Sequence, residues 1–219
     1  MLLSSRKGIN NKNMKITLCS IDNDLIDAWR NAFVDQTGIS IIKGDITKLK
    51  CDAMASPANS FGFMDGGIDF DISVRFGWDL QKKLQQTIIL LPEGELLVGQ
   101  AIILETGDKH VPYLISAPTM RVPMDFNIGT SVNAYHAMKA ILIIAKNHHA
   151  INSIVIPGLC TGTGKMNPMV AAKQMRAAFN EIILEHRRSF ADFEAAQAYQ
   201  IFLNHEGRIY DSYTLPALN

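Results

Sequence analysis

The sequence predicts a three-layer α/β/α domain, in which helices cover both faces of a central mixed, largely parallel sheet. Short strand-like segments alternate along the chain with longer segments whose apolar residues recur at helical spacing. Strands joined by helical crossovers usually lie parallel to one another. Several strand-like segments, such as residues 153–156 (SIVI), are almost entirely apolar. That pattern is typical of strands buried on both faces.

Seven segments are predicted as strands, because they are short and rich in apolar or β-branched residues: 15–19, 39–43, 52–56, 100–105, 113–116, 153–156 and 199–203. Between them, apolar side chains at helical spacing predict helices. The first stripe contains Leu25, Ile26, Trp29 and Phe33 and ends at Gly38. The second stripe starts near Asp69 and consists of Ile72, Phe76, Leu80 and Leu84. The last two stripes pass through Val132 to Ala145 and Met169 to Ile182.

The domain boundaries follow from composition. Residues 1–13 form a polar extension, residues 14–213 form a single domain, and residues 214–219 form a tail. Neither an internal repeat nor a linker divides the 219 residues. No signal peptide is expected, because the basic residues near the N-terminus precede no apolar run.

The charge balance excludes several classes of protein. Lys and Arg total 21 and Asp and Glu total 21, so the formal net charge is 0. A protein that coats nucleic acid needs a basic excess, so general nucleic-acid binding is not expected. With 47% hydrophobic and 19% charged residues the chain is expected to fold. No apolar run reaches the roughly 18 residues of a membrane span. Three widely spaced cysteines without a CxxC pair favour the reducing cytoplasm.

A loop rich in Gly and Thr, residues 157–165 (PGLCTGTGK), links a predicted strand to a predicted helix. It fails the pattern GxxxxGK[ST], because Leu159 and Met166 replace the first glycine and the hydroxyl residue. It fails GxGxxG, because Asn167 replaces the third glycine. Its backbone N–H groups suit a phosphate or diphosphate. An ordinary tight turn is the alternative.

A second glycine-containing loop, residues 60–67, also precedes a predicted helix. Three carboxylates lie in or just after it: Asp65, Asp69 and Asp71. Their spacing does not match a calcium-binding EF-hand loop. One of them suits a general base for water, and favourable charge at a helix N-terminus is the alternative. Both loops follow strands, so they are expected to meet at one rim of the sheet.

Two further polar residues follow predicted strands. The Asn59 amide suits a pair of sugar hydroxyls, and a turn-capping asparagine is the alternative. The Asp45 carboxylate suits a ligand with an exocyclic amine, from which it would accept a hydrogen bond. A turn or helix cap is the alternative.

Four motifs stand in the order found in one family: residues 44–47 (GDIT), 56–60 (SPANS), 65–69 (DGGID) and 157–162 (PGLCTG). Over residues 39–213 the sequence therefore resembles the macro domain family, which includes enzymes that process ADP-ribose 1″-phosphate. The resemblance implies ADP-ribose as ligand. For many members it also implies hydrolysis of ADP-ribosyl linkages on proteins or of ADP-ribose derivatives.

The resemblance also implies roles for individual residues. Asp45 matches the acid that accepts from the adenine amine, with the Ile46 backbone beside it. Asn59 matches the asparagine at the distal ribose, and Asp69 matches the acid associated with hydrolysis. The backbone around the diphosphate and distal ribose is matched by Gly66, Gly67, Ile68, Cys160, Thr161, Gly162, Thr163 and Gly164.

The sequence departs from the family pattern at several positions. Met64 and Asp65 interrupt the glycine run, Ser73 replaces a common histidine, and Gly164 occupies the place of an aromatic residue. No residue is assigned to stack on adenine. Phe202, Leu203 and His205 lie near the expected region. Residues 117–123, which include Arg121, are expected to border the pocket.

Two functions fit these sequence features. The first is a hydrolase of ADP-ribosyl linkages, with Asn59 positioning the distal ribose and Asp69 orienting water. The second is a reader that binds ADP-ribose without turnover. A phosphatase acting on ADP-ribose 1″-phosphate is a further alternative. Neither a metal nor a cofactor is expected, and the oligomeric state stays open.

Overall fold

A six-stranded sheet forms the centre of the computed structural model, which describes residues 14–123 and 128–205. Its strands are β1 (Lys15–Ser20), β2 (Ile39–Lys43), β3 (Ala53–Ser56), β4 (Ile102–Glu105), β5 (Tyr113–Ser116) and β6 (Ser153–Ile156). Their order across the sheet is β2-β1-β6-β3-β5-β4. All neighbours are parallel except β4, which is antiparallel to β5. The mixed, largely parallel sheet is therefore confirmed.

Helices cover both faces of this sheet. Those of the described residues are α1 (Asn23–Ala32), α2 (Gly67–Phe76), α3 (Asp79–Ile89), α4 (Asn133–Asn147), α5 (Pro168–Ile182) and α6 (Phe193–Leu203). Buried residues of α1, α4 and α5 form the larger core on one face, around Trp29 and Met138. Buried residues of α2 and α3 form the smaller core on the other face, around Ile72 and Leu84. These two cores confirm the three-layer α/β/α fold.

The sheet register gathers the loops that follow the parallel strands. Leu18 of β1 pairs with Ile41 of β2 and with Ile156 of β6, and Ser56 of β3 pairs with Ser116 of β5. These strands therefore end at the same edge of the sheet. Ligand sites of open α/β sheets lie at that edge.

The prediction of a strand at residues 199–203 is wrong, because this segment belongs to α6. Read alone, YQIFL is rich in β-favouring residues. The preceding residues FEAAQA include strong helix formers. The Asp192 side chain caps the helix by accepting from the Ala195 N–H at 2.8 Å. The helix therefore starts upstream and continues through this segment.

The apolar stripe predicted from Ile72 to Leu84 is helical and is divided between two helices, α2 and α3. Gly77 separates them with φ +91°, a conformation that glycine adopts without a Cβ clash. The four apolar side chains keep their spacing across the break, and three of them are buried.

Residues 1–13 and 206–219 lie outside the described residues. The predicted extension, the tail and the end of the predicted domain therefore stay predictions. Within the described ranges, no helix combines the length and apolar character needed to cross a membrane.

Candidate functional site

A cavity of about 830 Å³ opens at the edge of the sheet where the parallel strands end. This volume lies within the roughly 300–1,000 Å³ of small-molecule sites. Its wall includes all the residues to which the resemblance gave a role in binding or catalysis: Asp45, Ile46, Asn59, Gly66, Gly67, Ile68, Asp69, Cys160, Thr161, Gly162, Thr163 and Gly164. The two glycine-containing loops therefore face one cavity, as their positions after parallel strands predicted.

Asn59 holds the first loop in place. Its Nδ2 donates to the Phe63 carbonyl at 2.8 Å, and its Oδ1 accepts from the N–H groups of Phe61 and Phe63 at 3.1 and 3.3 Å. The side chain is 5% exposed and lines the cavity. The turn-capping role is therefore observed, and one Nδ2 hydrogen remains for a second acceptor.

Met64 explains why the glycine run of the first loop is interrupted. Its side chain is fully buried in the smaller core. The Met64 N–H donates to Gln81 Oε1 at 2.6 Å, and its carbonyl accepts from the Ser73 hydroxyl at 3.0 Å. The loop is therefore anchored to α2 and α3 from below, and Ser73 serves this anchor.

Asp69 lies in the first turn of α2, where its carboxylate is buried at the cavity wall. Its Oδ1 accepts from the Ser56 hydroxyl at 2.5 Å. Burial raises the pKa of Asp69 to about 6, and the Ser56 hydrogen bond opposes this rise. A carboxyl group with such a pKa exchanges protons near neutral pH, as a general base requires.

The N-terminus of α2 presents unused backbone donors to the cavity. No side chain caps this helix, and Gly67 adopts φ +55°, which favours glycine. Within the described residues, the N–H groups of Gly66, Gly67 and Ile68 have no protein acceptor. Such a helix start attracts an anion.

The second loop presents a similar set of donors. In the part of the chain that the structure describes, the N–H groups of residues 161–164 also lack a protein acceptor. The loop keeps its shape because Lys165 and Met166 donate to the carbonyls of Gly162 and Cys160 at 3.2 and 3.0 Å. Cys160 begins the turn with φ +67°. Its burial raises the pKa of its thiol, so the helix start does not produce a reactive thiolate here.

Asp45 marks the other end of the cavity. Its Oδ1 accepts from the backbone N–H of Thr47 at 2.8 Å and from its hydroxyl at 2.6 Å, so the predicted cap is present. The hydroxyl bond lowers the pKa of Asp45 most, and the side chain is therefore ionised at neutral pH. The Ile46 N–H has no acceptor among the described residues.

The cavity wall is acidic. Its described residues include five carboxylates and no Lys, Arg or His: Asp22, Asp45, Asp65, Asp69 and Asp71. An anionic ligand in this cavity would therefore be held by backbone amides and helix starts, without cationic side chains. Over the described ranges, no three or more His, Cys, Asp or Glu side chains are grouped to hold a metal ion.

Sequence reasoning missed part of this wall. Ser20, Ile21 and Asp22 line the cavity because they directly follow β1. That position at the carboxyl edge of the sheet was the available signal. The Ser56 contact with Asp69 was also missed, because it depends on where α2 lies above β3.

The residues considered for adenine stacking do not line the cavity. Leu203 is buried in the larger core, and the Phe202 ring stacks on Tyr199 with centroids 5.7 Å apart. From residues 117–123, the cavity receives Thr119, Met120 and Pro123. Arg121 instead pairs with Glu95 at 2.7 Å and covers the Phe61 ring.

The family model of the macro domain matches residues 55–175. The chain therefore belongs to the macro domain family. It is 30% identical to a protein of Aquifex aeolicus over 137 residues, which are 63% of this chain and 78% of that protein. It is 29% identical to a macro domain-containing protein of Listeria monocytogenes over 178 residues, or 77% and 98% of the two chains.

Two further comparisons concern proteins whose names mention a ligand or substrate. An O-acetyl-ADP-ribose deacetylase of Cronobacter turicensis is 27% identical over 126 residues, or 57% of this chain and 68% of that protein. The structure of an Oceanobacillus iheyensis macrodomain variant with ADPR superposes with a TM-score of 0.56. It shares 20% identity and covers 76% of this chain and 89% of that chain, which supports the shared fold.

Proposed function

We propose that this protein binds ADP-ribose in the cavity and hydrolyses an ADP-ribosyl linkage. The observation that carries the proposal is the buried Asp69 carboxylate beside two groups of unused backbone amides at one cavity. Family membership and the deacetylase named above support ADP-ribose or a derivative as substrate. The free, buried cysteines fit a reducing cytoplasm as the location.

The adenosine end of the ligand would lie at Asp45 and Ile46. The ionised Asp45 carboxylate accepts from the exocyclic amine, and the Ile46 N–H donates to a ring nitrogen. Both groups line the cavity, and the Ile46 N–H has no protein acceptor among the described residues. Together they would distinguish adenine from a base that lacks the amine.

The diphosphate would lie between the start of α2 and residues 161–164. Among the described residues, the backbone amides of these two segments already lack protein acceptors, so they need not break other hydrogen bonds when the diphosphate binds. This arrangement suits a single bound nucleotide, and the neutral overall charge of the chain is compatible with it. Gly67 permits close approach of the backbone to the ligand, because nothing in the described chain lies within 4 Å of its Cβ position.

Hydrolysis would take place at the distal ribose. The remaining Asn59 N–H donates to a ribose hydroxyl, and Asp69 accepts a proton from water. The water oxygen then bonds to the anomeric carbon, while the bond from that carbon to the substrate's leaving atom breaks. The proton held by Asp69 can pass to the leaving group. A positioned general base contributes roughly 10²–10⁴-fold to rate.

A reader that binds without turnover is the second candidate. It is favoured by the three hydrogen bonds that the Asn59 side chain makes to the first loop. These bonds restrict movement of the side chain with the distal ribose during a reaction.

The experiment measures release of ADP-ribose from a mono-ADP-ribosylated protein by wild type, Asp69→Ala and Asp79→Ala. Asp79 is the matched control, because it is an exposed carboxylate in the first turn of α3 and does not line the cavity. We expect Asp69→Ala to lower the rate about 10²-fold or more, and Asp79→Ala to change it less than about threefold. Equal rates for wild type and Asp69→Ala would overturn the hydrolase. Binding by an inactive wild type would identify a reader.

A further inference from the structure

A short turn, residues 128–131, contacts the second cavity loop from outside. The Ile128 N–H donates to the Gly164 carbonyl at 3.2 Å. The Ile128 side chain also covers Gly164, since a Cβ built on that glycine would lie 2.7 Å from both Ile128 Cγ1 and Cδ1. The position of this turn therefore limits where Gly164 can lie.

The turn is fixed internally and by Asn204, which follows α6. The Ile128 carbonyl accepts from the Ser131 N–H at 2.9 Å and from its hydroxyl at 2.6 Å. Asn204 is 2% exposed, and its Nδ2 donates to the carbonyls of Gly129 at 2.5 Å and Ser131 at 2.7 Å. One amide group thus holds two carbonyls of the turn.

A buried glutamine joins the turn to the end of α6. The Gln174 Nε2 donates to the Ser131 carbonyl at 2.9 Å and to the Leu203 carbonyl at 3.3 Å. Its Oε1 accepts from the Tyr135 N–H at 3.2 Å. Because Gln174 is fully buried on α5, it fixes the backbone that carries Asn204 relative to the turn.

The other half of α6 is held by different contacts. The Tyr199 hydroxyl donates to Glu181 at 2.7 Å, and Glu181 also accepts from Tyr135 and Lys139. Asp192 caps the start of the helix. None of these contacts reaches the turn, so the cap and Asn204 can be altered separately.

We propose that Asn204 is a positioning residue for the ligand site, which holds the second cavity loop in place through the 128–131 turn. The proposal depends on the proposed function only for the identity of the ligand. Asn204 lines no part of the cavity, so it acts through Ile128 and Gly164. Removal of its amide takes one donor from each of the Gly129 and Ser131 carbonyls. This loosens the turn and then the loop whose amides face the diphosphate.

Amide hydrogen exchange tests this coupling without any ligand. The variants are Asn204→Ala and the matched control Asp192→Ala, which weakens α6 at its opposite end. Relative to the Leu18 amide in β1, we expect Asn204→Ala to accelerate exchange at Ile128, Lys165 and Met166 by about tenfold or more. We expect Asp192→Ala to change these ratios by less than about twofold. Equal ratios in the two variants would overturn the proposal.

A second variant covers the case in which Asn204→Ala does not fold. Ile128→Val removes a methyl group from the contact over Gly164 and leaves α6 intact. We expect it to accelerate exchange at Lys165 and Met166 by more than Asp192→Ala does. An unchanged ratio would contradict the link between the turn and the loop.

Titration with ADP-ribose then tests the consequence for binding. We expect Asn204→Ala to weaken binding about tenfold or more, which corresponds to about 1.4 kcal/mol, and Asp192→Ala to leave it within about threefold. Faster loop exchange with unchanged affinity would overturn the positioning role. If wild type binds no ADP-ribose, the proposed function fails, and the exchange comparison still decides whether Asn204 holds the loop.

Discussion

The Ser56 hydroxyl donates a 2.5 Å hydrogen bond to Asp69 Oδ1, so the last residue of β3 holds a carboxylate in the first turn of α2. Ser56 is fully buried, whereas Asp69 reaches the cavity wall. The bond fixes the carboxylate through Oδ1 and does not use Oδ2. Burial dominates its titration and raises its pKa to about 6.

This titration predicts a pH-dependent stability difference for Asp69→Asn. The pKa of Asp69 in the folded protein, about 6, lies above its ordinary value of 3.8. Its stabilising contribution is therefore complete below about pH 4 and is lost as pH rises through about 6. Asparagine does not titrate. We expect the unfolding free energy of Asp69→Asn to rise relative to that of wild type by about 2 kcal/mol between about pH 4.5 and 7.5.

Urea unfolding of both proteins at the two pH values measures this difference. Asp71→Asn is the control, since that carboxylate is exposed. A difference between Asp69→Asn and wild type that is the same at both pH values would contradict the account of Asp69.

Asn59 anchors the first loop and is also proposed to bind the distal ribose, and these two roles predict different results for two substitutions. Asn59→Ala removes three loop hydrogen bonds, and at roughly 1 kcal/mol each we expect a stability loss of about 2–3 kcal/mol. Asn59→Asp keeps the acceptor for Phe61 and Phe63 but loses the donor to the Phe63 carbonyl. We therefore expect a smaller loss of stability, with ADP-ribose binding weakened in both variants. Chemical denaturation and calorimetry give the two quantities, and unchanged stability in Asn59→Ala would refute the loop-anchoring role.

The convergence of the two loops could be predicted from the sequence, because loops after parallel strands share one edge of the sheet. The grouping of Asp45, Asn59 and Asp69 in one site came from the resemblance to the macro domain family. The Ser56 contact could not be predicted, because it needs the position of α2 over β3. The helical state of residues 199–203 could not be predicted from these residues alone, because their side chains favour strands. They belong to a helix that starts upstream at Phe193.

Crowding at Gly164 predicts that a single methyl group disturbs the second loop. A Cβ there would lie 2.6 Å from the Cys160 carbonyl oxygen and 2.7 Å from Ile128. We expect Gly164→Ala to weaken ADP-ribose binding about tenfold or more and to lower the melting temperature. Gly38→Ala is the matched control, because nothing lies within 4 Å of its Cβ. Equal affinities in these two variants would show that ADP-ribose binding does not depend on the present shape of the second loop.

The acidic wall predicts an unusual dependence of affinity on salt. With five carboxylates and no basic side chain among the described lining residues, added salt screens repulsion of the diphosphate. We expect ADP-ribose affinity at about 300 mM NaCl to equal or exceed that at about 30 mM. Adenosine, which lacks phosphates, should show a smaller change in the same titration. A tenfold loss of ADP-ribose affinity at the higher salt would point to cationic contacts instead.

Calorimetric titration of the full chain with ADP-ribose, beside Asp45→Ala, tests the central claim most directly. We predict binding at one site by wild type, weakened about tenfold or more in Asp45→Ala. At 100 times the dissociation constant, the ligand should stabilise wild type by about 2.7 kcal/mol. Neither heat nor a thermal shift at millimolar ADP-ribose would contradict the assignment of this cavity.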